Sequence, residues 1–189
     1  MERKHFASLY PADTRSEEIA KIIKYAKAGN SSQLVGLPGV GKSNILELLV
    51  YNKQVRLKHL GEHQEKFHFV LINFSEVRNR PIGDVMKFIF IELVESLEER
   101  AYDDAHEKVS EIFKDSLAYN DELVLFSGLK KAMEFLAQQK EISTILLFDR
   151  FESYVPFVTH EFFSYLRILR NRAKYKFSAV FCLNRPLED

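Results

Sequence analysis

Four short apolar runs along the chain have the length and the β-branched or aromatic composition of buried strands. They alternate with longer segments in which apolar residues recur every three or four positions, as on one face of a helix. The strand-like runs are Ser32–Val35 and residues 67–74, 142–148 and 177–183. This alternation predicts an α/β domain with a parallel sheet, whose ligand site lies at the carboxyl ends of the strands.

The helical segments have recognisable beginnings and ends. Thr14 and Glu17 have the spacing of a capping box, and Gly29 predicts the end of the helix that starts there. A basic, histidine-containing stretch at residues 53–66 is interpreted as a connecting loop. The other predicted helices follow Ser43 or cover residues 82–100, 109–117, 121–139 and 160–174.

A glycine-rich run joins the first strand to a helix and matches the pattern GxxxxGK[ST]. Such a turn points successive backbone N–H groups at a polyphosphate, and the helix N-terminus adds partial positive charge. Lys42 can neutralise the β- and γ-phosphates, and the Ser43 hydroxyl can ligate Mg²⁺. The predicted nucleotide-binding residues are Gly36, Leu37, Pro38, Gly39, Val40, Gly41, Lys42, Ser43 and Asn44.

Polar residues stand at the ends of the remaining strands, where they would meet this loop. The second strand ends near Asn73, the third ends in Asp149, and Asn184 and Arg185 follow the fourth. A carboxylate at the position of Asp149 can hold the metal bound by the serine of the loop, directly or through water; the alternative is a helix cap. Glu152 could polarise the attacking water, support the metal site or remain a solvated surface acid.

Composition and charge limit the classes of function. With 189 residues and 46% hydrophobic residues, the chain can bury one substantial core, which predicts a single domain over residues 1–189. No apolar run approaches a membrane span, and the N-terminus lacks the apolar stretch of a signal peptide, so the expected location is the cytoplasm. The net charge of zero offers no overall footprint for nucleic acid.

Charge is nevertheless segregated along the chain. Residues 92–122 are strongly acidic, whereas residues 160–176 carry five basic side chains and one acid. Arg167, Arg170 and Lys174 fall on one face of the predicted helix. That face could contact DNA, a neighbouring subunit's nucleotide or an acidic partner, or it could simply be solvated.

The segments GLPGVGKS, LLFDRFESY and AVFCLNRP together resemble the AAA+ and STAND superfamily of P-loop ATPases, particularly bacterial STAND-type and replication-initiator-like ATPases. The resemblance covers nearly the whole chain. It implies a three-layer P-loop fold with strand order 5-1-4-3-2, in which Asp149 is the Walker B metal residue and Glu152 the acid that follows. It also implies that Asn184 or Arg185 is the sensor 1 residue that detects the γ-phosphate.

Two departures from the family pattern qualify that resemblance. Many AAA+ hydrolases have a water-activating Glu directly after the Walker B Asp, where this chain has Arg150. The resemblance to STAND proteins therefore implies slow hydrolysis and a switch role. The chain also stops at Asp189, before the family's fifth strand, helical lid and sensor 2 arginine, which predicts an N-terminal fragment.

The sequence thus predicts an ATP- and Mg²⁺-binding switch module in which Lys42, Glu152, Asn184 and Arg185 contribute to slow hydrolysis. The alternative is a non-hydrolysing nucleotide-binding interaction module or a DNA-associated initiator-like ATPase. A protein partner or self-association is compatible with either function, and DNA binding would involve the missing C-terminal part. The loop also resembles that of nucleotide kinases, but the acidic stretch offers little of the arginine-bearing lid that those enzymes need.

Overall fold

The computed structural model describes residues 5–187, which form a four-stranded parallel sheet flanked by helices on both faces. The N-terminal stretch used above to predict the cytoplasmic location falls partly outside these residues. The strands are β1 (Ser32–Val35), β2 (Phe67–Asn73), β3 (Ser143–Asp149) and β4 (Phe177–Leu183). The helices are α1 (Ser16–Lys27), α2 (Lys42–Tyr51), α3 (Lys53–Leu60), α4 (Ile82–Glu99), α5 (Asp103–Leu117), α6 (Glu122–Gln138) and α7 (His160–Arg172).

The strand order is β1-β4-β3-β2, and every neighbouring pair is parallel. This confirms the predicted α/β class and the 1-4-3-2 part of the predicted order. Parallel pairing requires crossover connections, which the intervening helices supply. No fifth strand occurs within residues 5–187.

Two hydrophobic cores lie on opposite faces of the sheet, which gives the domain three layers. Alternate residues of a strand point to opposite faces. Ile145 and Leu147 of β3 pack with α1, α2 and α3, whereas Leu146 and Phe148 pack with α4, α5, α6 and α7. The same alternation decides which polar side chains at the strand ends can meet the glycine-rich loop, because that loop leads into α2.

Strand β1 is less buried than the sequence indicated. It pairs with β4 alone and forms one edge of the sheet, so its residues alternate between half-buried and exposed. Val35 is 41% exposed. The expectation of a fully buried strand was wrong because an edge position leaves part of each side chain and one row of backbone groups open to solvent.

Two local predictions in the first third of the chain were also wrong. Residues 53–66 form helix α3 and a 3₁₀ turn rather than a loop. Asn52 begins that helix, since its side chain accepts from the backbone N–H groups of Gln54 and Val55. The capping box is absent from α1, where Arg15 occupies the N-cap in a left-handed conformation (φ 55°) without a side-chain cap.

Helix α2, which carries the glycine-rich loop at its start, is held at its other end by Arg56. The guanidinium donates to the carbonyls of Leu49 (3.1 Å) and Val50 (2.6 Å). Burial lowers the pKa of Arg56 to about 10, so the group remains charged at neutral pH. A cation at a helix C-terminus satisfies free carbonyls and interacts favourably with the helix dipole, and Arg56 therefore anchors α2 against the core.

Buried aromatic rings pack tightly where β2, β3 and β4 end. The ring of Phe151 lies 4.8 Å from that of Phe74 and 5.0 Å from that of Phe181, centroid to centroid. Phe148 and Phe162 complete the contacts, at 5.8 and 5.5 Å from Phe151. This aromatic cluster anchors the turn that connects Asp149 to the residues after it.

The basic face predicted on the helix before β4 is only partly free. Arg170 donates to Asn30 Oδ1 at 2.9 Å, and its guanidinium lies over the Tyr175 ring at 4.6 Å. Arg167 is exposed on α7, whereas Lys174 lies beyond the helix end at Arg172. The helix is thus two residues shorter than predicted, and one of the three basic residues is engaged within the domain.

Candidate functional site

The glycine-rich loop connects the end of β1 to the start of α2 at the carboxyl edge of the sheet. Gly39 and Gly41 have φ values of 82° and 85°, which residues with a side chain adopt only with strain. The Gly36 N–H donates to the carbonyl of Leu183 at 3.2 Å, which ties the loop to the end of β4. The chain therefore turns where β3 and β4 deliver polar residues. Asn73, at the end of β2, does not line this cavity, because its side chain accepts from the N–H and hydroxyl of Ser75.

Lys42 is the first residue of α2, and its side chain folds back along the loop. Its ammonium donates to the carbonyls of Gly36 (2.6 Å) and Leu37 (2.9 Å) and to Asn184 Oδ1 (3.2 Å). The residue is only 9% exposed. A phosphate bound at the loop would therefore lie within reach of the N–H donors of the Lys42 ammonium.

Ser43 and Asp149 meet across the site. The Ser43 hydroxyl donates to Asp149 Oδ1 at 2.8 Å. Asp149 continues the face of β3 on which Ile145 and Leu147 pack against α2, and this alternation brings its carboxylate to the serine. A hydroxyl beside a carboxylate is an oxygen donor set that suits Mg²⁺, which usually takes one or two protein oxygens and fills its shell with phosphates and water.

The structure separates the two residues predicted as alternative sensors. Asn184 contacts Lys42 and donates through Nδ2 to Glu152 Oε1 at 3.4 Å. Arg185 lines a neighbouring cavity with Phe163 and Leu183, which Asn184 also borders, but it does not line the cavity beside the glycine-rich loop. It follows the strand face of Phe181 and Leu183, which is the face opposite α2.

Glu152 lines both this neighbouring cavity and the cavity beside the glycine-rich loop. Its Oε2 atom is buried and finds no donor among residues 5–187. Buried carboxylate oxygens are normally hydrogen-bonded, so this atom retains capacity to accept a bond from water or a ligand. Its place beside Asn184 brings that capacity to the edge of the cavity beside the glycine-rich loop.

The loop and the strand ends enclose a cavity of about 480 Å³, within the usual size range of small-molecule sites. Its lining residues are Pro38, Gly39, Gly41, Lys42, Ser43, Asp149, Arg150, Glu152, Cys182 and Asn184. Leu37 and Val40 are exposed on the outside of the loop, and Asn44 is half-buried in the first turn of α2. Gly36 contributes through its carbonyl, which Lys42 contacts.

The sequence analysis gave no site role to three residues that lie in or against the cavity wall. Arg15 donates to the carbonyl of Val40 at 3.0 Å and so supports the loop from α1. Arg150 and Cys182 line the cavity itself. Burial, and secondarily the negative charge of Asp149, raises the pKa of the Cys182 thiol to about 12, so this side chain is neutral at pH 7.

One signal in the sequence could have identified Arg15. A basic residue at the start of a helix opposes the helix dipole, and such a position suggests that the side chain serves a tertiary contact. Cys182 and Asn184 share a strand face with Val180, so their place could have been inferred by alternation once α2 was assigned to that face.

Comparison with known proteins leaves the family open. No protein-family model matches the chain. A search of curated proteins finds no match either. Among solved structures, C. elegans PCH-2 aligns with a TM-score of 0.44 and 10% identity over 97% of this chain. The chain spans 41% of the length of that structure.

These observations define the class of molecule as an α/β domain with a three-layer, P-loop-like fold. Among the helices of residues 5–187, not one combines the length and hydrophobicity that a bilayer span requires.

Proposed function

We propose that this chain is the ATP- and Mg²⁺-binding switch module of an AAA+ or STAND-type signalling ATPase, and that it hydrolyses ATP slowly. The observation that carries the proposal is the convergence of Lys42, Ser43, Asp149 and Asn184 on one cavity beside a glycine-rich loop. ATP as the nucleotide follows from the resemblance of the motifs, and the regulatory role follows from the same source.

The loop provides the phosphate-binding part of the proposed site. Backbone N–H groups of the loop and the N-terminus of α2 point partial positive charge at the cavity, and Lys42 adds a full charge. Phosphate oxygens would replace the carbonyls of Gly36 and Leu37 as acceptors for the Lys42 ammonium. Because charged acceptors bind an ammonium more strongly than carbonyls do, this exchange favours the polyphosphate.

Ser43 and Asp149 would hold Mg²⁺, with their side-chain oxygens already 2.8 Å apart. The metal, when bound, neutralises charge on the β- and γ-phosphates. Asn184 forms hydrogen bonds with both Lys42 and Glu152, so a change in the contacts of Lys42 would alter the hydrogen bond to the Glu152 carboxylate. This chain of contacts supports a sensor role for Asn184 rather than for Arg185.

Glu152 is the proposed acceptor for the proton of the attacking water. Its Oε2 atom has a free acceptor position, and its Oε1 atom is oriented by Asn184. A positioned carboxylate base typically contributes on the order of 10²-fold to 10⁴-fold in rate. Arg150 takes the place that a Glu holds in many AAA+ hydrolases, which supports slow hydrolysis and equally favours the second candidate, a non-hydrolysing nucleotide-binding module.

Changing Asp149 to Asn should weaken ATP binding about tenfold or more in the presence of Mg²⁺, because the amide removes the charge that acts on the metal. In EDTA the affinity of the variant should match that of the parent. Calorimetric titration of both proteins under both conditions measures this difference. Asp115→Asn, which removes an exposed carboxylate on α5, is the matched control. Equal losses with and without Mg²⁺ would mean that Asp149 has only a structural role.

Glu152→Gln distinguishes the hydrolysing from the non-hydrolysing function. The amide keeps the size of the side chain and removes the base, so phosphate release should fall about 10²-fold while ATP affinity persists. Steady-state phosphate release is measured beside ATP binding, with Glu107→Gln as an exposed control on α5. Phosphate release at the parent rate would refute the catalytic role of Glu152. An absence of release from the parent itself would favour the binding module.

A further inference from the structure

Arg150 is a cavity residue that the proposed function leaves without a role. It follows Asp149 directly at the end of β3 and lines the cavity with Lys42 and Asn184. Its side chain is 62% exposed, and its Nε atom lies 4.0 Å from Asp149 Oδ2. Among the described residues that line the cavity, Arg150 alone carries a guanidinium.

The backbone of Arg150 is held by Ser153. Its carbonyl accepts from the N–H (3.0 Å) and the hydroxyl (2.9 Å) of Ser153. These bonds maintain a left-handed conformation (φ 53°), which costs energy for a residue with a side chain and is often found where a ligand is bound. The guanidinium is therefore carried by a well-anchored Cα atom.

The two cations of the cavity differ in how far they are engaged. Lys42 already shares its ammonium among three acceptors, two of them in the loop. Arg150 has one weak ionic contact, to Asp149, although a guanidinium has five N–H donors. Arg150 therefore offers unused donors to an anionic ligand, in the planar arrangement that suits phosphate oxygens.

The position of Arg150 selects which phosphate it can reach. One wall of the cavity is the loop with the start of α2, and the other consists of Asp149, Arg150, Glu152 and Asn184. A polyphosphate that binds along the loop presents its terminal phosphate to the second wall. A diphosphate bound in the same way lacks the group that would extend to Arg150.

We propose that Arg150 binds the terminal phosphate of a nucleoside triphosphate and so makes the site distinguish ATP from ADP. The inference rests on the proposed function, because it takes the loop as the site of the remaining phosphates. When the triphosphate binds, the guanidinium gives up its contact with Asp149 and contacts the phosphate instead. The Asp149 carboxylate is then available to Mg²⁺. Arg150 is then the residue that links nucleotide state to the turn between β3 and Glu152.

The test compares ATP and ADP affinities of the parent, Arg150→Gln and Arg150→Lys, measured by calorimetry with Mg²⁺ present. Arg150→Gln should lower ATP affinity about 10-fold to 100-fold, as expected for losing a charge-assisted contact, and change ADP affinity less than about threefold. Arg150→Lys should give an intermediate ratio, because it keeps the charge and loses the planar fork. Arg167→Gln, on the exposed side of α7, should leave both affinities unchanged.

Three results would overturn the proposal: equal losses for ATP and ADP, no loss for either, or tighter ATP binding by Arg150→Gln. The last would mean that Arg150 only competes with the metal for Asp149. Failure of the proposed function looks different, since the parent would then bind neither nucleotide. A parent that binds both, together with an Arg150→Gln protein that keeps the parent's ATP-to-ADP ratio, refutes the role of Arg150 alone.

Discussion

Replacing Lys42 with Ala should reduce ATP affinity by at least about 10²-fold, because two or more charge-assisted hydrogen bonds to phosphate are lost together. The ammonium of Lys42 is mostly buried and directed along the loop, so no other side chain can take its place without rearrangement. The effect should hold for ADP as well as ATP, since the β-phosphate shares this contact. Calorimetry with Mg²⁺ present measures both affinities.

Two further variants make the Lys42 result interpretable. Lys42→Met keeps most of the aliphatic side chain and removes the charge, so it should bind ATP as weakly as Lys42→Ala does. Lys21→Ala changes an exposed lysine on α1 and should bind ATP like the parent. Parent-like affinity in both Lys42 variants would contradict the assignment of the glycine-rich loop as the phosphate site.

Phe151→Ala should destabilise the domain by about 3 to 5 kcal/mol, the usual cost of removing a fully buried phenylalanine ring. The side chain is 0% exposed and contacts four other aromatic rings of the cluster. Loss of the ring leaves a cavity at the point where three strands end. For a domain of this size, that loss corresponds to a fall in melting temperature of about 6 to 20 °C.

Urea unfolding followed by circular dichroism measures the Phe151 effect, provided that the m-value stays that of the parent. Phe157→Ala removes a ring that is 45% exposed and should cost much less. A loss below about 1 kcal/mol for Phe151→Ala would mean that the cluster repacks around the missing ring.

The Phe151 variant also bears on the site. Phe151 stands between Arg150 and Glu152, so the aromatic cluster fixes the direction from which both charged side chains enter the cavity. We therefore expect nucleotide binding by Phe151→Ala to weaken even at temperatures where the domain remains folded. The buried ring of Phe151 thus contributes both to the stability of the domain and to the geometry of the second cavity wall.

The glycine-rich loop and the buried strands were predictable because their signals are local. GxxxxGK[ST] places its backbone donors, lysine and serine within eight consecutive residues. A buried strand can be predicted from the length and composition of a single apolar run. Strand β4 has the bounds that the sequence predicted, and β3 differs by one residue at each end. The strand order, by contrast, was expected from the family resemblance and not from any pattern in the residues.

The positions of the site residues outside the loop could be assigned only from the tertiary structure. Asn184 and Arg185 are adjacent and both polar, and composition does not tell which of them faces Lys42. The answer required knowing that α2 packs on the strand face continued by residue 184, because side chains of a strand alternate between faces. The contacts of Arg15 with the loop and of Arg150 with Asp149 likewise depend on how α1 and β3 are placed.

The amino-acid sequence by itself determined the glycine-rich loop, the alternation of strands and helices, and the carboxylate that ends β3. The tertiary structure decided the exposure of β1, which of Asn184 and Arg185 contacts Lys42, and the presence of a second cation in the cavity. The physical reason is range: turn geometry and periodicity act over a few residues, whereas burial and the convergence of charges depend on segments far apart in the chain.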